Sequence, residues 1–183
     1  MHTLFCGVTL SGKTTLARAI AQEQAKKGVP LIVFDPVGTS TANGNWPESA
    51  IVISDLGEFL EYMAHPDVHS ASVYIDEAAN VFNARMPENC LLLTQGRHRG
   101  LQINMIAQRP KMVLPNARTQ AARTYMFRLA TEDAREVFAD AGHNSKQFDL
   151  NLDTGDFYVL HSGSRRVERG NVFNLIKPKG KAP

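Results

Sequence analysis

Residues 7–15 of this chain read Gly-Val-Thr-Leu-Ser-Gly-Lys-Thr-Thr, which fits the pattern G-x-x-x-x-G-K-[ST] of a phosphate-binding loop. The apolar run Leu4-Phe5-Cys6 predicts a short strand that ends at Gly7, and residues 14–27 predict a helix with one apolar face. A strand, a glycine-rich turn and a helix N-terminus together point backbone N–H groups at a polyphosphate. A glycine-rich turn that binds nothing is the alternative, and the flanking strand and helix argue against it.

The polar residues of this loop match the chemistry of a nucleoside triphosphate. Lys13 is expected to reach the β- and γ-phosphates, and the Thr14 hydroxyl is expected to occupy one position on Mg²⁺. We therefore predict ATP and Mg²⁺ as cofactors. The predicted nucleotide-binding residues are Gly7, Thr9, Leu10, Ser11, Gly12, Lys13, Thr14 and Thr15.

The length and composition fit one domain over residues 1–183. The chain has 183 residues, of which 43% are apolar, so it can build a substantial core. The net charge of +2 is too small to indicate a nucleic-acid binder by itself. Residues 177–183 carry Lys177, Lys179 and Lys181 and are expected to form a disordered basic tail.

The cysteine content and the apolar runs indicate a compartment. The two cysteines, Cys6 and Cys90, give no disulfide framework, and Cys6 lies in a predicted core strand, which suits a reducing environment. No apolar run approaches the length of a membrane span, and the phosphate-loop motif begins close to Met1. We expect a soluble, intracellular protein.

Predicted strands and helices alternate along the chain. Further strands are expected at 31–34, 50–53, 72–75, 103–107 and 125–129, and helices at 56–64, at 87–97 and from an N-cap at Thr131. Residues 38–49 read as a surface loop, which Trp46 is expected to pin to the body. Residues 157–160 and 166–173 predict a β-hairpin. The fold class is therefore α/β, a mostly parallel sheet flanked by helices with a C-terminal hairpin.

Asp76 and Glu77 follow directly after the predicted strand 72–75. In phosphate-loop enzymes an acid at this position holds Mg²⁺, so Asp76 joins Thr14 as a predicted metal ligand. A second acid can polarise an attacking water, which makes Glu77 the candidate general base of a hydrolase. The alternative is that both acids only cap a helix that starts at Ala78.

Gln108 ends the predicted strand 103–107. Parallel strands end at the same edge of a sheet, so Gln108 is expected near Asp76 and the γ-phosphate. An amide there could hydrogen-bond both the attacking water and the phosphate. A surface glutamine before a turn at Pro110 is the alternative.

Arg97 and Arg99 lie between the acid pair and Gln108 in sequence. Arginine stabilises the charge on a transferring phosphoryl group, often from a neighbouring molecule. Two arginines at a helix C-terminus also interact favourably with the helix dipole. The residues alone leave both interpretations open.

Five segments, in this order, resemble the FtsK/HerA superfamily of P-loop ATPases. They are Gly7–Thr15, Phe34–Gly38, Tyr74–Ala78, Gly96–Leu101 and Ala107–Pro110. The Arg-His-Arg-Gly and Gln-Arg-Pro stretches are the more specific part, and within the superfamily they look most like the genome-packaging ATPases of tailless, membrane-containing viruses. The resemblance covers roughly residues 1–130.

This resemblance implies a RecA-like P-loop NTPase fold with Walker A and Walker B motifs. It further implies an ATPase that translocates double-stranded DNA without sequence specificity, as a homo-oligomeric ring, a hexamer. Possible partners are capsid vertex proteins, no membrane span of its own is expected, and the setting would be the host cytoplasm or the virion. The resemblance covers a chain shorter than the cellular members of the superfamily, so their membrane anchors and extra domains are not expected here.

Basic residues in predicted loops are candidates for DNA contact. Such loops need to bind only the phosphate backbone. The candidate residues for DNA contact are Arg85 in the loop 83–86, Lys111 in the segment 109–118, the hairpin residues Arg165, Arg166 and Arg169, and the tail lysines. Two rival functions remain open: a nucleotide or small-molecule kinase, and a regulatory NTP switch. Glu77 favours hydrolysis over the kinase.

Overall fold

The computed structural model describes residues 1–38 and 45–176, in which strands and helices alternate. The strands are β1 (His2–Cys6), β2 (Leu31–Phe34), β3 (Ile51–Ile53), β4 (Ser72–Ile75), β5 (Gln102–Ala107), β6 (Ala121–Met126), β7 (Asp156–His161) and β8 (Val167–Asn171). The helices are α1 (Lys13–Lys26), α2 (Leu56–Ala64), α3 (Leu91–His98), α4 (Pro115–Arg118), α5 (Thr131–Asp140) and α6 (Val172–Ile176). Short 3₁₀ turns occupy Ala78–Asn80, Pro87–Cys90, Pro110–Met112 and Ser145–Gln147.

The described strands form one sheet in the order β3-β2-β4-β5-β1-β6-β7-β8. From β3 to β6 all neighbours are parallel, and β7 and β8 continue the sheet as an antiparallel hairpin. The phosphate-loop strand β1 pairs with β5 on one side and with β6 on the other. The predicted fold class, a mostly parallel α/β sheet flanked by helices with a C-terminal hairpin, is confirmed.

Alternate residues of the strands build a core on each face of the sheet. On the α1 face, Phe5 of β1 lies in one apolar cluster with Leu16 and Ala17 of α1. On the opposite face, Leu4 and Cys6 lie in a second cluster, which includes Phe59 of α2, Leu93 of α3 and Phe138 of α5. Each fully buried side chain of this size contributes about 1.5–3 kcal/mol. The two cores hold β1 rigidly, so the loop that follows it starts from a fixed point.

Four sequence-based expectations need correction. The strand predicted at 125–129 runs from Ala121 to Met126, because its upstream polar residues pair with β1 on one side and β7 on the other. Thr131 is the first residue of α5 and not its N-cap; Ala130 holds that position without a side-chain hydrogen bond. The helix predicted from Ala78 is a single 3₁₀ turn, and a 3₁₀ turn also opens the helix predicted at 87–97. Residues 39–44 of the predicted loop 38–49 and the predicted basic tail 177–183 lie outside the described residues.

Candidate nucleotide site

The phosphate loop is fixed to the ends of the two strands that flank β1. The N–H of Gly7 donates to the carbonyl of Ala107 at 3.2 Å, and the N–H of Val8 donates to the carbonyl of Arg128 at 2.9 Å. A Cβ on Gly7 would lie 2.6 Å from Cβ of Phe127, so the close approach of this turn requires glycine. Gly12 has φ +105° and forms the N-cap of α1. The N-terminal N–H groups of α1 therefore open onto a cavity at this edge of the sheet.

The cavity has a volume of about 360 Å³ and collects residues from the phosphate loop after β1 and from the ends of β2, β4 and β5. It lies at the carboxyl ends of the parallel strands, where ligands of open α/β sheets bind. Its lining residues are Thr9, Leu10, Gly12, Lys13, Thr14, Thr15, Arg18, Asp35, Val37, Gly38, Asp76, Glu77, Gln108 and Phe173. The structure thus brings Lys13, Thr14, Asp76, Glu77 and Gln108 together around one space.

Lys13 is a largely buried cation in this cavity, with 7% of its surface exposed. Burial lowers the pKa of its ammonium, and the negative charges of Asp76 and Glu77 oppose that shift. An ammonium that has lost much of its water is strongly stabilised by an anion placed beside it. The site is therefore suited to a polyphosphate.

Three carboxylates gather on the other wall of the cavity. Burial, followed by the charges of Asp35 and Glu77, raises the pKa of the Asp76 carboxyl to about 6. Repulsion of this kind is relieved by a cation. In the described part of the chain, no three His, Cys, Asp or Glu side chains are grouped to hold a metal ion by themselves. Mg²⁺ bound with a nucleotide needs only one or two protein oxygens beside the phosphates, and Thr14 and Asp76 fit that requirement.

Glu77, Gln108 and Thr9 form a chain of hydrogen bonds across the cavity. The Gln108 amide donates from Nε2 to Oε1 of Glu77 at 2.8 Å, and the Thr9 hydroxyl donates to Oε1 of Gln108 at 3.1 Å. Glu77 also has φ 57° and ψ 55°, a left-handed conformation that costs a non-glycine residue about 1–3 kcal/mol. The phosphate loop, the strand end of β5 and the acid pair are thereby connected, with the Glu77 carboxylate held at the cavity wall.

A buried polar cluster supports the β2 end of the site. Oδ2 of Asp35 accepts a hydrogen bond from Nε1 of Trp46 at 2.9 Å and pairs with Nη2 of Arg18 at 3.4 Å. The Arg18 guanidinium also lies over the Trp46 ring, 5.1 Å from its centroid. Trp46 is therefore anchored to the body of the domain, as the sequence predicts for this residue. The roles of Asp35 and Arg18 were missed, because Asp35-Pro36 reads only as a strand end.

Arg97 and Arg99 lie at the opposite edge of the sheet from the phosphate loop. They end α3 just before β5 begins at Gln102, and β5 runs parallel to β1. The Arg99 guanidinium donates to the carbonyls of Met63, His65 and Val68, so it satisfies the C-terminal end of α2 and the turn after it. Arg97 is exposed. Within one chain, neither arginine reaches the cavity.

The basic residues predicted to contact DNA differ in how they are engaged. Lys111 pairs with Asp133 and Glu136 on α5, and the hairpin residues Arg166 and Arg169 pair with Glu168 and Asp156. Arg118 is buried and pairs with Glu136 and Asp140. Arg85 is exposed, in the turn 83–86, and has no ion pair with any residue in the ranges 1–38 and 45–176. None of the helices in those ranges combines the length and apolar character needed to cross a membrane.

Comparison of this geometry with solved structures identifies the fold. The genome-packaging NTPase B204 of Sulfolobus turreted icosahedral virus 2, solved with AMPPCP, superposes with a TM-score of 0.74. The match has 18% sequence identity and covers 92% of this chain and 96% of that chain. This chain has the fold of a viral genome-packaging NTPase.

Two further proteins share the fold. The conjugation coupling protein TcpA of pCW3, with ATPγS, has a TM-score of 0.71 and 16% identity over 93% of this chain and 59% of that one. The N-terminal domain of zonular occludens toxin from Neisseria meningitidis has a TM-score of 0.54 and 16% identity over 94% and 96%. No family model and no curated protein sequence matches the chain. These solved structures, and no sequence match, support the FtsK/HerA resemblance, and they do so only at the level of the fold.

Proposed function

We propose that this protein is an ATP-hydrolysing translocase of double-stranded DNA that works as a ring in viral genome packaging. The observation that carries the proposal is the single cavity in which Lys13, Thr14, Asp76, Glu77 and Gln108 meet. The fold it shares with B204, a genome-packaging NTPase, over nearly the full length of both chains supports the packaging role. B204 binds AMPPCP and ATPγS, which supports ATP as the nucleotide.

The phosphate loop binds and orients the triphosphate. The N–H groups at the start of α1 and the Lys13 ammonium hold the phosphate oxygens, and the buried setting of Lys13 strengthens each of these contacts. Thr14 and Asp76 would hold Mg²⁺. When bound, the metal neutralises charge that develops on the phosphates. Asp35 adds negative charge behind Asp76 and so favours the cation.

Glu77 accepts the proton of the attacking water. Its carboxylate lies at the cavity wall and its hydrogen bond from Gln108 fixes its orientation. Gln108 in turn is oriented by Thr9, a residue of the phosphate loop itself. Occupancy of the loop can therefore be communicated to the base through two hydrogen bonds. General-base assistance of this kind contributes about 10²–10⁴-fold to a rate.

A hydrolase fits the cavities of this chain better than a kinase does. A kinase needs room for an acceptor beside the γ-phosphate. A larger cavity of about 650 Å³ lies at the other end of β2, where Pro30 and Leu31 line it, and its lining residues do not include Lys13, Asp76 or Glu77. An acceptor bound there would be at the wrong edge of the sheet.

The ring explains the positions of Arg97 and Arg85. An arginine at the amino-end edge reaches a nucleotide only in a head-to-tail assembly, and such an assembly can close into a ring. Arg97 is exposed whereas Arg99 is engaged with carbonyls, so Arg97 is the better candidate to act on the adjacent subunit. Arg85 is the better candidate for DNA, because Lys111 is paired with two acids. Such a motor works in the host cytoplasm or in the virion, against the proteins of a capsid vertex.

The test is phosphate release by Glu77→Gln and Lys13→Ala, with Glu88→Gln as a matched control. Glu88 is an exposed glutamate that does not line the cavity. Glu77→Gln should bind ATP normally and lose about 10²-fold or more in turnover, since the general base is gone. Lys13→Ala should weaken ATP binding as well. Glu88→Gln should behave as the wild type.

Three results would overturn this assignment. Normal turnover by Glu77→Gln would show that another group activates the water. Transfer of the γ-phosphate to a nucleoside monophosphate in place of release as inorganic phosphate would establish the rival kinase. ATP turnover that a protein partner, and not DNA, controls would favour the regulatory switch.

A further inference from the structure

The cavity has one polar end and one apolar wall, and only the polar end has a role so far. The polar end is formed by Lys13, Asp76, Glu77 and Gln108. Phe173, the second residue of α6, contributes an aromatic ring to the same lining. A nucleoside triphosphate has a matching polarity, with charged phosphates at one end and a flat, largely apolar base at the other.

Backbone hydrogen bonds connect the Phe173 segment to the phosphate loop. The N–H of Gly155 donates to the carbonyl of Ser11 at 3.0 Å, and the N–H of Val172 donates to the carbonyl of Gly155 at 2.8 Å. A Cβ on Gly12 would lie 3.0 Å from Cγ1 of Val172, so the loop and the start of α6 are in direct contact. Phe173 therefore keeps a fixed position relative to the loop, although about 160 residues separate them in sequence.

The Phe173 ring is far more exposed than the side chain of Val172, the residue before it. Val172 is fully buried in the α1-face core, whereas Phe173 is 46% exposed. One edge of its ring packs on Gly155, where a Cβ would lie 2.5 Å from Cε2. The core does not need this ring. An aromatic face left open on a cavity that also binds phosphates is suited to stacking.

Leu10 and Val37 also line the cavity with apolar side chains, but neither has an aromatic face on which a base can stack. The N–H of Val37 donates to Oδ1 of Asp35 at 3.2 Å, so Val37 lies beside the carboxylates that attract the metal. On the proposed function, the terminal phosphates and Mg²⁺ would lie on that side. The base must then point away from Asp35 and toward α6.

We propose that Phe173 is the stacking platform for the base of the bound nucleotide. This inference rests on the proposed function, because it takes the phosphates to be at Lys13. Stacking on a phenyl ring uses the π-face that every base has, so the platform favours purines by area and does not read hydrogen-bonding edges. The site should therefore accept ATP and GTP with similar affinity and bind pyrimidine triphosphates more weakly.

The experiment compares ATP with inorganic tripolyphosphate, which has the phosphates but no base. Both are titrated calorimetrically in the presence of Mg²⁺ into wild type, Phe173→Ala, Phe173→Tyr and Leu175→Ala. Phe173→Ala should weaken ATP binding about fivefold or more, the range expected for loss of one base–aromatic stack. Its affinity for tripolyphosphate should change by less than about twofold. Phe173→Tyr, which keeps the ring face, should retain ATP affinity.

Leu175→Ala is the matched control. Leu175 lies on the same helix and is 62% exposed, but it does not line the cavity. Its loss should leave both affinities unchanged.

The outcomes separate this inference from the function on which it rests. Equal ATP affinity in Phe173→Ala and wild type would overturn the stacking platform and leave the phosphate site intact. Parallel loss of ATP and tripolyphosphate binding in Phe173→Ala would also overturn it, since the ring would then only support the loop. A wild-type protein that binds neither ligand would contradict the proposed function itself.

Discussion

The two edges of the parallel sheet use buried polar groups in opposite ways. At the carboxyl edge, Lys13 and Asp76 face a cavity. Asp76 and Glu77 partly balance the charge of Lys13, whereas Asp35 and Glu77 repel the charge of Asp76. At the amino edge, Arg99 donates to three backbone carbonyls, and His2 bonds to the carbonyl of Leu93 and the N–H of Ile103. The polar groups of Arg99 and His2 therefore have their hydrogen-bond partners within the chain.

This difference separates groups available to a ligand from groups that hold the fold. Buried polar groups stabilise a fold when their partners are backbone atoms. Incompletely paired charges beside a cavity are stabilised when a ligand of opposite charge arrives. Arginine occurs in both settings, and only its partners tell the two uses apart. Arg97 and Arg99, two residues apart, are the direct comparison.

The largest expected effect comes from Arg97. If it acts on the nucleotide of the adjacent subunit, Arg97→Ala should lower turnover of the assembled protein about 10³-fold or more, as for other arginines supplied in trans. Mixing Arg97→Ala chains with Lys13→Ala chains should restore part of the activity, because some interfaces then join an intact arginine to an intact phosphate loop. Steady-state ATPase assays of the mixture measure this.

The oligomer dependence of turnover is the companion measurement. Isolated subunits should be poor ATPases, and activity per chain should rise with assembly. A monomer that hydrolyses ATP as fast per chain as the assembled form would remove Arg97 from the catalytic account and leave it an exposed helix-end residue.

Substitution of Arg99 should reduce the stability of the fold and not the rate of catalysis. Arg99→Ala removes charge-assisted hydrogen bonds to the carbonyls of Met63, His65 and Val68. We expect a loss of about 2–4 kcal/mol in the free energy of unfolding and a Tm lower by about 5–15 °C. Arg97→Ala is the control, and as an exposed substitution it should stay within about 0.5 kcal/mol. Equal Tm values for the two variants would contradict the division between them.

The smallest expected effect is a pH dependence from His2 at the amino edge. Burial lowers the pKa of His2 from its ordinary value of 6.5, helped by the positive charges of the chain N-terminus and Arg97. The unfolded chain therefore binds a proton at higher pH than the folded chain does. Stability from this group is complete above 6.5 and falls as the pH drops from there toward the folded pKa.

Denaturant unfolding between pH 5 and pH 8 checks this sign. His2→Gln retains a donor and an acceptor but cannot titrate, so its stability should depend less on pH than that of the wild type. A steeper pH dependence in the variant would show that His2 is not the responsible group.

Local patterns made much of the fold and site predictable. Strands β2 and β4 and helix α2 have the predicted bounds, because each is a short apolar or amphipathic run between clear breaks. The acid pair and Gln108 were placed at one edge by a single rule, that parallel strands end together. The hydrogen bond between Gln108 and Glu77 is the direct consequence of that rule.

The features that escaped prediction depend on contacts between distant segments. Phe173 joins the cavity only because Gly155 hydrogen-bonds to the phosphate loop. Arg99 binds carbonyls more than 30 residues upstream, which no local pattern shows. The polar cluster around Asp35 was not predicted, because its partners Arg18 and Trp46 lie in separate segments before and after it in sequence. The N-cap at Thr131 was misplaced by one residue, since residue type alone does not fix the start of a helix.

The most direct test of the account is the ATPase rate of the assembled protein with and without duplex DNA. We predict that duplexes of unrelated sequence raise turnover equally, and that the stimulation weakens steeply as salt rises, because the grip is on phosphates. Arg85→Ala should reduce that stimulation and leave basal turnover unchanged. Turnover that ignores duplex DNA but rises with a nucleoside monophosphate acceptor would contradict the translocase.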